Sequence, residues 1–169
     1  MPKVLIVVGS DSDLLVMKGA IDALIKLEIP YEIRISSAHR VPERTVAIAK
    51  EAEKNGVQVI IAGAGMAAHL PGVIAAYTTL PVIGVPIQGG AIQGIDALYA
   101  IVQMPKGIPV ATVAVNGAFN AGLLAAQMMA LADSNIAKKL KEIRQSMANE
   151  VEGKDQQLQG LGIEKYIAQ

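Results

Sequence analysis

Five short runs of apolar, mostly β-branched residues constrain the fold more than any other feature of this sequence. Most of the runs are apolar at every position instead of alternating, which is typical of parallel strands covered by helices on both faces. Segments with helical periodicity separate the runs. The strand candidates are residues 4–8, 31–36, 57–62, 82–85 and 110–115.

The alternation of strands with helices predicts an α/β protein with an open, doubly wound parallel sheet and right-handed crossovers. The 169 residues are enough for one domain but too few for a closed eight-fold barrel. We expect one catalytic domain over residues 1–152, including the last helix. A polar C-terminal tail over residues 153–169 would be either solvated or strapped across a neighbouring subunit. The helix candidates are residues 12–27, 42–55, 70–77, 95–103, 118–132 and 135–151.

The composition excludes several classes of protein and site. Lys and Arg total 15 and Asp and Glu total 15, so no basic excess points to nucleic acid or anionic lipid. The chain has no Cys and only two His, which argues against disulfides, thiolate zinc sites and a His-rich metal centre. No apolar run is long enough for a signal peptide or a membrane span, so a cytoplasmic location is expected.

A long central segment is almost free of charge. Between Asn55 and Ala132 the only Asp, Glu, Lys or Arg residues are Asp96 and Lys106. Three consecutive helix candidates therefore lack the polar face that a helix on the surface of a monomer needs. Because their apolar runs are too short to cross a membrane, we expect these faces to be buried against other subunits of a closed homo-oligomer.

The loops that follow the strands are the places to look for a site, because ligands of open parallel sheets bind at the carboxyl ends of the strands. The first loop holds Ser10, Asp11, Ser12 and Asp13 before a helix. Its backbone N–H groups suit a phosphate, whereas the Asp13 carboxylate suits the hydroxyls of a ribose. Asp11 and Ser12 also have the alternative role of helix caps.

The second and third loops contain both histidines of the chain. The second loop pairs His39 with Arg40 beside Ser37. Arg is the natural bidentate partner of a phosphate, and His is the commonest general acid/base near neutral pH. His69, in the third loop, is either a second site residue or a hydrogen-bonding residue at the start of a helix.

The third loop also matches the dinucleotide pattern G-x-G-x-x-A over residues 63–68. It follows the third strand rather than the first, and no Asp or Glu between Glu53 and Asp96 is present to hold a ribose. We therefore exclude NAD binding. The small residues let a flat ligand approach the backbone or let helices pack closely. With no P-loop and no Mg²⁺ ligand set, the loops favour proton transfer on a small phosphorylated ribose ligand, without metal or cofactor.

Taken together, these loops resemble one enzyme family. The matching motifs are G-S-x-S-D at residues 9–13, S-A-H-R at 37–40, A-A-H-L-P-G at 67–72, and two later segments at 101–105 and 120–127. The family is the 5-(carboxyamino)imidazole ribonucleotide mutase family of de novo purine synthesis. The resemblance implies a flavodoxin-like three-layer α/β/α fold with strand order 2-1-3-4-5, usually assembled as an octamer.

The resemblance also implies a reaction and residue roles. The enzyme would convert N5-carboxyaminoimidazole ribonucleotide into 4-carboxy-5-aminoimidazole ribonucleotide, in the synthesis of IMP. It would decarboxylate the substrate, retain CO₂ in a closed pocket and recarboxylate the ring carbon. His39 would be the general acid/base of this isomerase, and no cofactor, metal or ATP is implied. The substrate-binding residues would be Ser10, Ser12, Asp13, Ser37, Arg40, Gly65, Ala67 and His69.

Two other functions are alternatives. A carboxylase that joins CO₂ to aminoimidazole ribonucleotide uses the same fold, although Arg40 and the His-Leu-Pro-Gly run that begins at His69 favour the mutase type. A non-catalytic nucleotide-binding module is the second alternative. Two positions depart from the family pattern: Met66 stands where Gly is usual, and Gln-Gly-Gly at residues 88–90 replaces Gln-Ser-x. Neither departure removes the proposed catalytic residue.

Overall fold

Five parallel strands form one sheet in the computed structural model, which describes residues 3–168. Met1, Pro2 and Gln169, which belong to the predicted domain and tail, lie outside the described residues. The strands are β1 (Val4–Val8), β2 (Tyr31–Ile35), β3 (Val59–Gly65), β4 (Val82–Ile87) and β5 (Ala111–Thr112). Their order is β2-β1-β3-β4-β5, and each neighbouring pair is parallel. The predicted order and the flavodoxin-like α/β fold are therefore confirmed.

Helices cover both faces of this sheet. They are α1 (Leu14–Lys26), α2 (Pro42–Ala52), α3 (Leu70–Ala75), α4 (Ile95–Val102), α5 (Ala118–Ala130), α6 (Ser134–Leu161) and α7 (Ile163–Ile167). Helices α1 and α5 pack on one face, and α2, α3 and α4 pack on the other. Across residues 3–168, none of the helices has both the length and the hydrophobicity that a membrane crossing requires.

The central strands β1, β3 and β4 are buried on both faces, as their continuous apolar runs predict. In β1, Ile6 contributes to the core under α1 and α5, whereas its neighbour Val7 contributes to the core under α2, α3 and α4. Strand β2 lies at an edge of the sheet and is only partly buried, so that Ile35 is 43% exposed. The two cores hold the carboxyl ends of β1, β3 and β4 rigidly side by side.

Several predicted strand ends were wrong. Strands β3 and β4 continue beyond residues 62 and 85 because they pair with each other as far as Gly65 and Ile87. Small residues and Pro have low strand propensity, and here the pairing overrides it. The third and fourth loops therefore begin later than predicted. Strand β5 keeps only Ala111–Thr112 of the predicted run, because its parallel pairing with β4 is limited to these two residues.

The last helix is longer than predicted. Helix α6 runs from Ser134 to Leu161, through its predicted end at residue 151 and through Gly153. One Gly inside a helix costs only about 1 kcal/mol relative to Ala, so it does not end a helix of this length. Ile136 is the buried residue of α6, and Met147 and Val151 are exposed. The predicted tail is thus mostly helical, while the boundary of the domain at residue 152 stays a prediction.

Candidate active site

A cleft of about 380 Å³ opens at the carboxyl ends of the central strands, where the loops after β1, β2, β3 and β4 meet. It lies at the switch point of the sheet, because β2 and β3 flank β1 on opposite sides. Open α/β sheets bind ligands at such a point. All the predicted site residues except His69 line the cleft: Ser10, Ser12, Asp13, Ser37, His39, Arg40, Gly65 and Ala67.

The first loop forms a short 3-10 turn, Asp11–Asp13, which is capped from within. The Ser12 backbone N–H donates to the Ser10 hydroxyl at 3.4 Å, and the Ser10 backbone N–H donates to the Asp13 carboxylate at 3.1 Å. This reciprocal pair is a capping box, made by Ser10 and Asp13 rather than by Asp11 and Ser12. The Ser12 hydroxyl donates to Ser10 Oγ at 3.0 Å, so the loop is a compact set of oxygens and N–H groups.

The Asp13 carboxylate is only partly exposed on the cleft wall. Burial raises its pKa above the ordinary value of 3.8, because desolvation outweighs the hydrogen bonds from Ser10 and Ser12 that favour the charged form. The neighbouring charge of Asp11 also raises this pKa. A carboxylate that is partly desolvated by burial gains from a ligand that supplies hydroxyl donors, which is the role predicted for Asp13.

Asp13→Asn should stabilise the free protein against unfolding while it weakens substrate binding. Because the pKa of Asp13 is raised in the folded state, the folded protein binds a proton at this carboxylate more tightly than the unfolded chain does. Protonation of Asp13 therefore stabilises the folded state at low pH, and this contribution is lost as pH rises through the folded-state pKa. We expect the melting temperature of the variant, minus that of the parent, to increase from about pH 3 to about pH 7. A difference that shrinks over this range in thermal unfolding would contradict the assignment.

The second loop places Arg40 across the first loop. Its Nη2 donates a hydrogen bond to the Gly9 carbonyl oxygen at 3.1 Å, and its backbone N–H donates to Ser37 Oγ at 3.3 Å. None of the ion pairs found within residues 3–168 involves the Arg40 guanidinium. Its positive charge at the cleft is therefore available to an anionic ligand.

The two histidines contact each other. Nε2 of His39 lies 2.8 Å from Nδ1 of His69, and the two rings are nearly perpendicular, at 87° with centroids 5.0 Å apart. His69 lies outside the lining of the cleft and reaches the site through His39. His39 is thus the ring in position to exchange a proton with a ligand.

Small and apolar residues from the ends of β3 and β4 form the rest of the cleft. A Cβ on Gly65 would lie 3.1 Å from the Ile87 carbonyl oxygen, so the β4 backbone would have to shift slightly to accept a larger residue there. Met66 has a left-handed φ of 53° and a side chain that is 59% exposed at the rim. These walls suit a flat ring and add no titrating group. Within the described residues, no three His, Asp or Glu side chains are grouped to hold a metal ion.

Arg44 was missed by the sequence analysis. Together with Ser10, Ser37 and Arg40 it lines a groove of about 460 Å³ beside the cleft. Helical spacing in the sequence could not have found it, because Arg40 lies in the turn before the N-cap Val41, whereas Arg44 lies inside α2. The groove and the cleft share Arg40, so positive charge continues from the cleft toward Arg44, and Asp11 is the one acidic residue in the lining of the groove.

The sequence favours Asn116 as a helix cap, but the N-cap of α5 is Gly117 and Asn116 belongs to the site instead. Its side-chain oxygen accepts a hydrogen bond from the Gln88 backbone N–H at 2.9 Å, and its Nδ2 donates to Gln88 Oε1 at 3.2 Å. Asn116 itself has a φ of 59°, a conformation that Asn tolerates better than most residues. Through these two hydrogen bonds, Asn116 of the neighbouring loop positions Gln88 in the wall of the cleft. No sequence pattern predicts this contact.

Known proteins resemble this chain over nearly its whole length. The family described as AIR carboxylase matches residues 3–150. The N5-carboxyaminoimidazole ribonucleotide mutase of Thermotoga maritima is 53% identical over 169 residues, which cover 100% of this chain and 99% of that protein. The phosphoribosylaminoimidazole carboxylase of Saccharomyces cerevisiae is 49% identical over 166 residues, which cover 98% of this chain but only 29% of that protein.

The three-dimensional comparison agrees with the sequence comparison. The crystal structure of Treponema denticola PurE matches with a TM-score of 0.84 and 32% sequence identity, covering 94% of this chain and 99% of that one. The family resemblance of the loop motifs is thereby confirmed, and the chain belongs to the AIR carboxylase family.

Proposed function

We propose that this chain is an isomerase of purine biosynthesis, a mutase that converts N5-carboxyaminoimidazole ribonucleotide into 4-carboxy-5-aminoimidazole ribonucleotide in IMP synthesis. One observation carries the proposal: a single imidazole, His39, lines a cleft that also holds the Arg40 guanidinium and small apolar walls. The cleft therefore offers a proton donor, an anion partner and a place for a flat ring. The bacterial relative that matches over its full length carries the mutase name.

The charges and hydroxyls that line the cleft support one orientation for the ribonucleotide. Its phosphate is held by Arg40, with the hydroxyls of Ser10, Ser12 and Ser37 as further donors on that side. Its ribose hydroxyls donate to the Asp13 carboxylate. The imidazole ring then lies against the small residues Gly65 and Ala67, which together with Ile87 and His39 surround the reacting carboxyl group.

The chemistry that this site supports is a pair of carboxyl transfers coupled to one proton. First the N–CO₂ bond breaks, its electron pair stays on the exocyclic nitrogen, and His39 gives that nitrogen a proton. The released CO₂ stays between the apolar walls. The ring carbon then attacks CO₂, and the proton lost from that carbon returns to His39. Atoms and charge balance in these steps, and neither step needs ATP or a metal ion. The ring carbon receives the carboxyl group that the nitrogen lost, so the net reaction is an isomerisation.

A carboxylase that takes CO₂ from solution is the second candidate, and the similarity to the Saccharomyces cerevisiae carboxylase favours it. The two are separated by offering each substrate to the purified protein without ATP or added metal. A mutase forms 4-carboxy-5-aminoimidazole ribonucleotide from the N5-carboxylated substrate. If product appeared only from aminoimidazole ribonucleotide plus bicarbonate, the protein would be the carboxylase. If neither substrate reacted but the nucleotide bound, it would be a non-catalytic binding module.

Arg44→Gln should raise KM without lowering kcat. Its charge lies along the groove that continues the phosphate side of the cleft. We expect KM to increase by about threefold to fivefold, which corresponds to one exposed charge interaction. The effect should shrink at high salt because exposed charges are screened. Lys54→Gln, the same change of charge just beyond the far end of α2, is the matched control. Equal KM values for the two variants at low salt would place the phosphate elsewhere.

We also infer that the protein assembles as an octamer. We infer a cytoplasmic location for it. The faces of the charge-poor helices remain uncovered in one chain: Tyr99 on α4 is 61% exposed and Leu131 after α5 is 91% exposed. Met147 and Val151 are exposed apolar residues on α6, the helix that leads into the C-terminal tail. Burial against neighbouring subunits removes these side chains from water, with the tail as a strap.

Sedimentation equilibrium at micromolar concentration should show a closed oligomer of 17.6 kDa chains, an octamer, and no monomer. Tyr99→Lys is designed to break it, because a charge placed in an apolar interface leaves an unpaired ion there. Lys18→Tyr makes the reverse exchange on α1, outside the charge-poor segment, at a side chain that is 64% exposed, and it serves as the control. A stable and active monomer of the parent would reject the burial argument.

A further inference from the structure

His69 stands at the start of α3 but does not act as a helix cap. It occupies the N-cap position, and its side chain makes no capping hydrogen bond. Its imidazole Nδ1 instead lies 2.8 Å from Nε2 of His39, a residue of another loop. The helix-start role left open by the sequence is therefore wrong, because the His69 side chain is hydrogen-bonded to the other histidine of the chain.

A hydrogen bond between two imidazole nitrogens constrains where protons can be. One of the facing nitrogens must carry the hydrogen and the other must be bare. If His39 is to give up a proton as an acid, it first carries hydrogens on both of its nitrogens. Nε2 of His39 is then the donor, and Nδ1 of His69 is the acceptor. If His69 instead carried its hydrogen on Nδ1, a doubly protonated His39 would face it with a second N–H group and the hydrogen bond would be lost.

We propose that His69 is the positioning residue of His39: it accepts a hydrogen bond from Nε2–H of His39 and so fixes Nδ1 as the nitrogen that exchanges protons with the substrate. The inference rests on the proposed mutase function for its catalytic part. The proton leaves Nδ1 of His39 for the substrate nitrogen, and the proton of the ring carbon later returns to Nδ1. The bond to His69 is kept throughout, so the ring neither turns nor changes tautomer between the two steps.

The other charged groups of the cleft do not compete for this role. Asp13 comes from the first loop and Arg40 from the second, and the segments of β3 and β4 that line the cleft contribute none. Asp13 accepts from the Ser10 backbone and Arg40 donates to the Gly9 carbonyl, so both are held by the first loop. Among the contacts of the described residues, His69 is the one side chain bonded to the His39 ring.

The tautomer can be read directly by ¹⁵N NMR of the free protein, because the chain has only two histidines and each single substitution assigns the spectrum. With both rings neutral, we expect His39 to carry its hydrogen on Nε2 and to have a bare Nδ1. In His69→Leu, which offers no acceptor, His39 should become a mixture of tautomers. A His39 ring protonated on Nδ1 in the parent, or an unchanged tautomer in His69→Leu, would overturn the proposal whatever the enzyme catalyses.

Measurement of turnover is the second test of the proposal. His69→Leu should lower kcat on the order of tenfold or more with KM within about twofold, as losses of a partner that orients a reactive imidazole commonly do. His69→Asn should recover most of kcat, because its amide oxygen is placed to accept the same hydrogen bond. Equal kcat in the Leu and Asn variants would overturn the positioning role. If the tautomer result held while the parent showed no mutase turnover, the proposed function would fail and the hydrogen-bond assignment would stand.

Discussion

His39→Asn should lower kcat by roughly 10²–10⁴ while nucleotide affinity stays within a few-fold, which is the usual size of a lost general acid/base. His39 is the only imidazole that lines the cleft within the described residues. The Asn side chain is polar but shorter than that of His, and its amide cannot take up or release the proton. Both carboxyl-transfer steps depend on that proton, so both slow down together. Steady-state turnover of the N5-carboxylated substrate, paired with calorimetric titration of product, measures the two quantities.

The binding measurement is the internal control for this variant. Normal affinity with lost turnover places the defect in the chemistry, whereas lost affinity indicates a disturbed loop. The hydrogen bond to His69 is also removed, so the melting temperature should be compared with that of His69→Leu, which loses the same bond. An Asn variant that turns over at nearly the parental rate would reject His39 as the acid/base.

Arg40→Ala should weaken nucleotide binding by about 2 kcal/mol or more, roughly thirtyfold in affinity. The guanidinium lies at the cleft without an ion-pair partner among residues 3–168, so its charge is compensated only when an anion binds. Truncation also removes the hydrogen bond to the Gly9 carbonyl oxygen, which ties the second loop to the first. Titration of the ribonucleotide by calorimetry at two salt concentrations measures the loss and its electrostatic part.

Two further variants sharpen this result. Arg40→Lys keeps the charge but loses the planar fork, so its affinity should fall between those of the parent and Arg40→Ala. Arg34→Ala removes an arginine of β2 that pairs with Glu32 and lines neither the cleft nor the groove, and it should bind as the parent does. Parental affinity in Arg40→Ala would show that the phosphate lies elsewhere in the cleft.

The sequence predicts the sheet well because burial on both faces leaves a direct mark. In β1 every residue is buried, and the run 4–8 is apolar throughout, so its predicted ends match the structure. Gly65 and Ile87 could not be assigned to strands in this way, since pairing between β3 and β4 defines their state rather than their own propensity. The position of the site follows from topology alone, because parallel strands bring their carboxyl ends to one edge.

Contacts between loops are the part that the sequence does not specify. His39 and His69 are 30 positions apart, and the same motifs are compatible with two separate rings. Their contact depends on how far the loops after β2 and β3 extend over the sheet. The length of α6 escaped prediction for a different reason: Gly153 signals an end in an isolated sequence, yet the residues on both sides of it favour helix.

Carbon labelling tests the mutase account most directly. N5-carboxyaminoimidazole ribonucleotide with ¹³C in its carboxyl group is converted by the enzyme in a buffer containing excess unlabelled bicarbonate, without ATP or added metal. Mass spectrometry of 4-carboxy-5-aminoimidazole ribonucleotide then reports the origin of the new carboxyl group. If CO₂ stays between the apolar walls of the cleft, the product keeps the ¹³C label. Product whose carboxyl carbon comes from the unlabelled bicarbonate would contradict retention of CO₂ between the apolar walls.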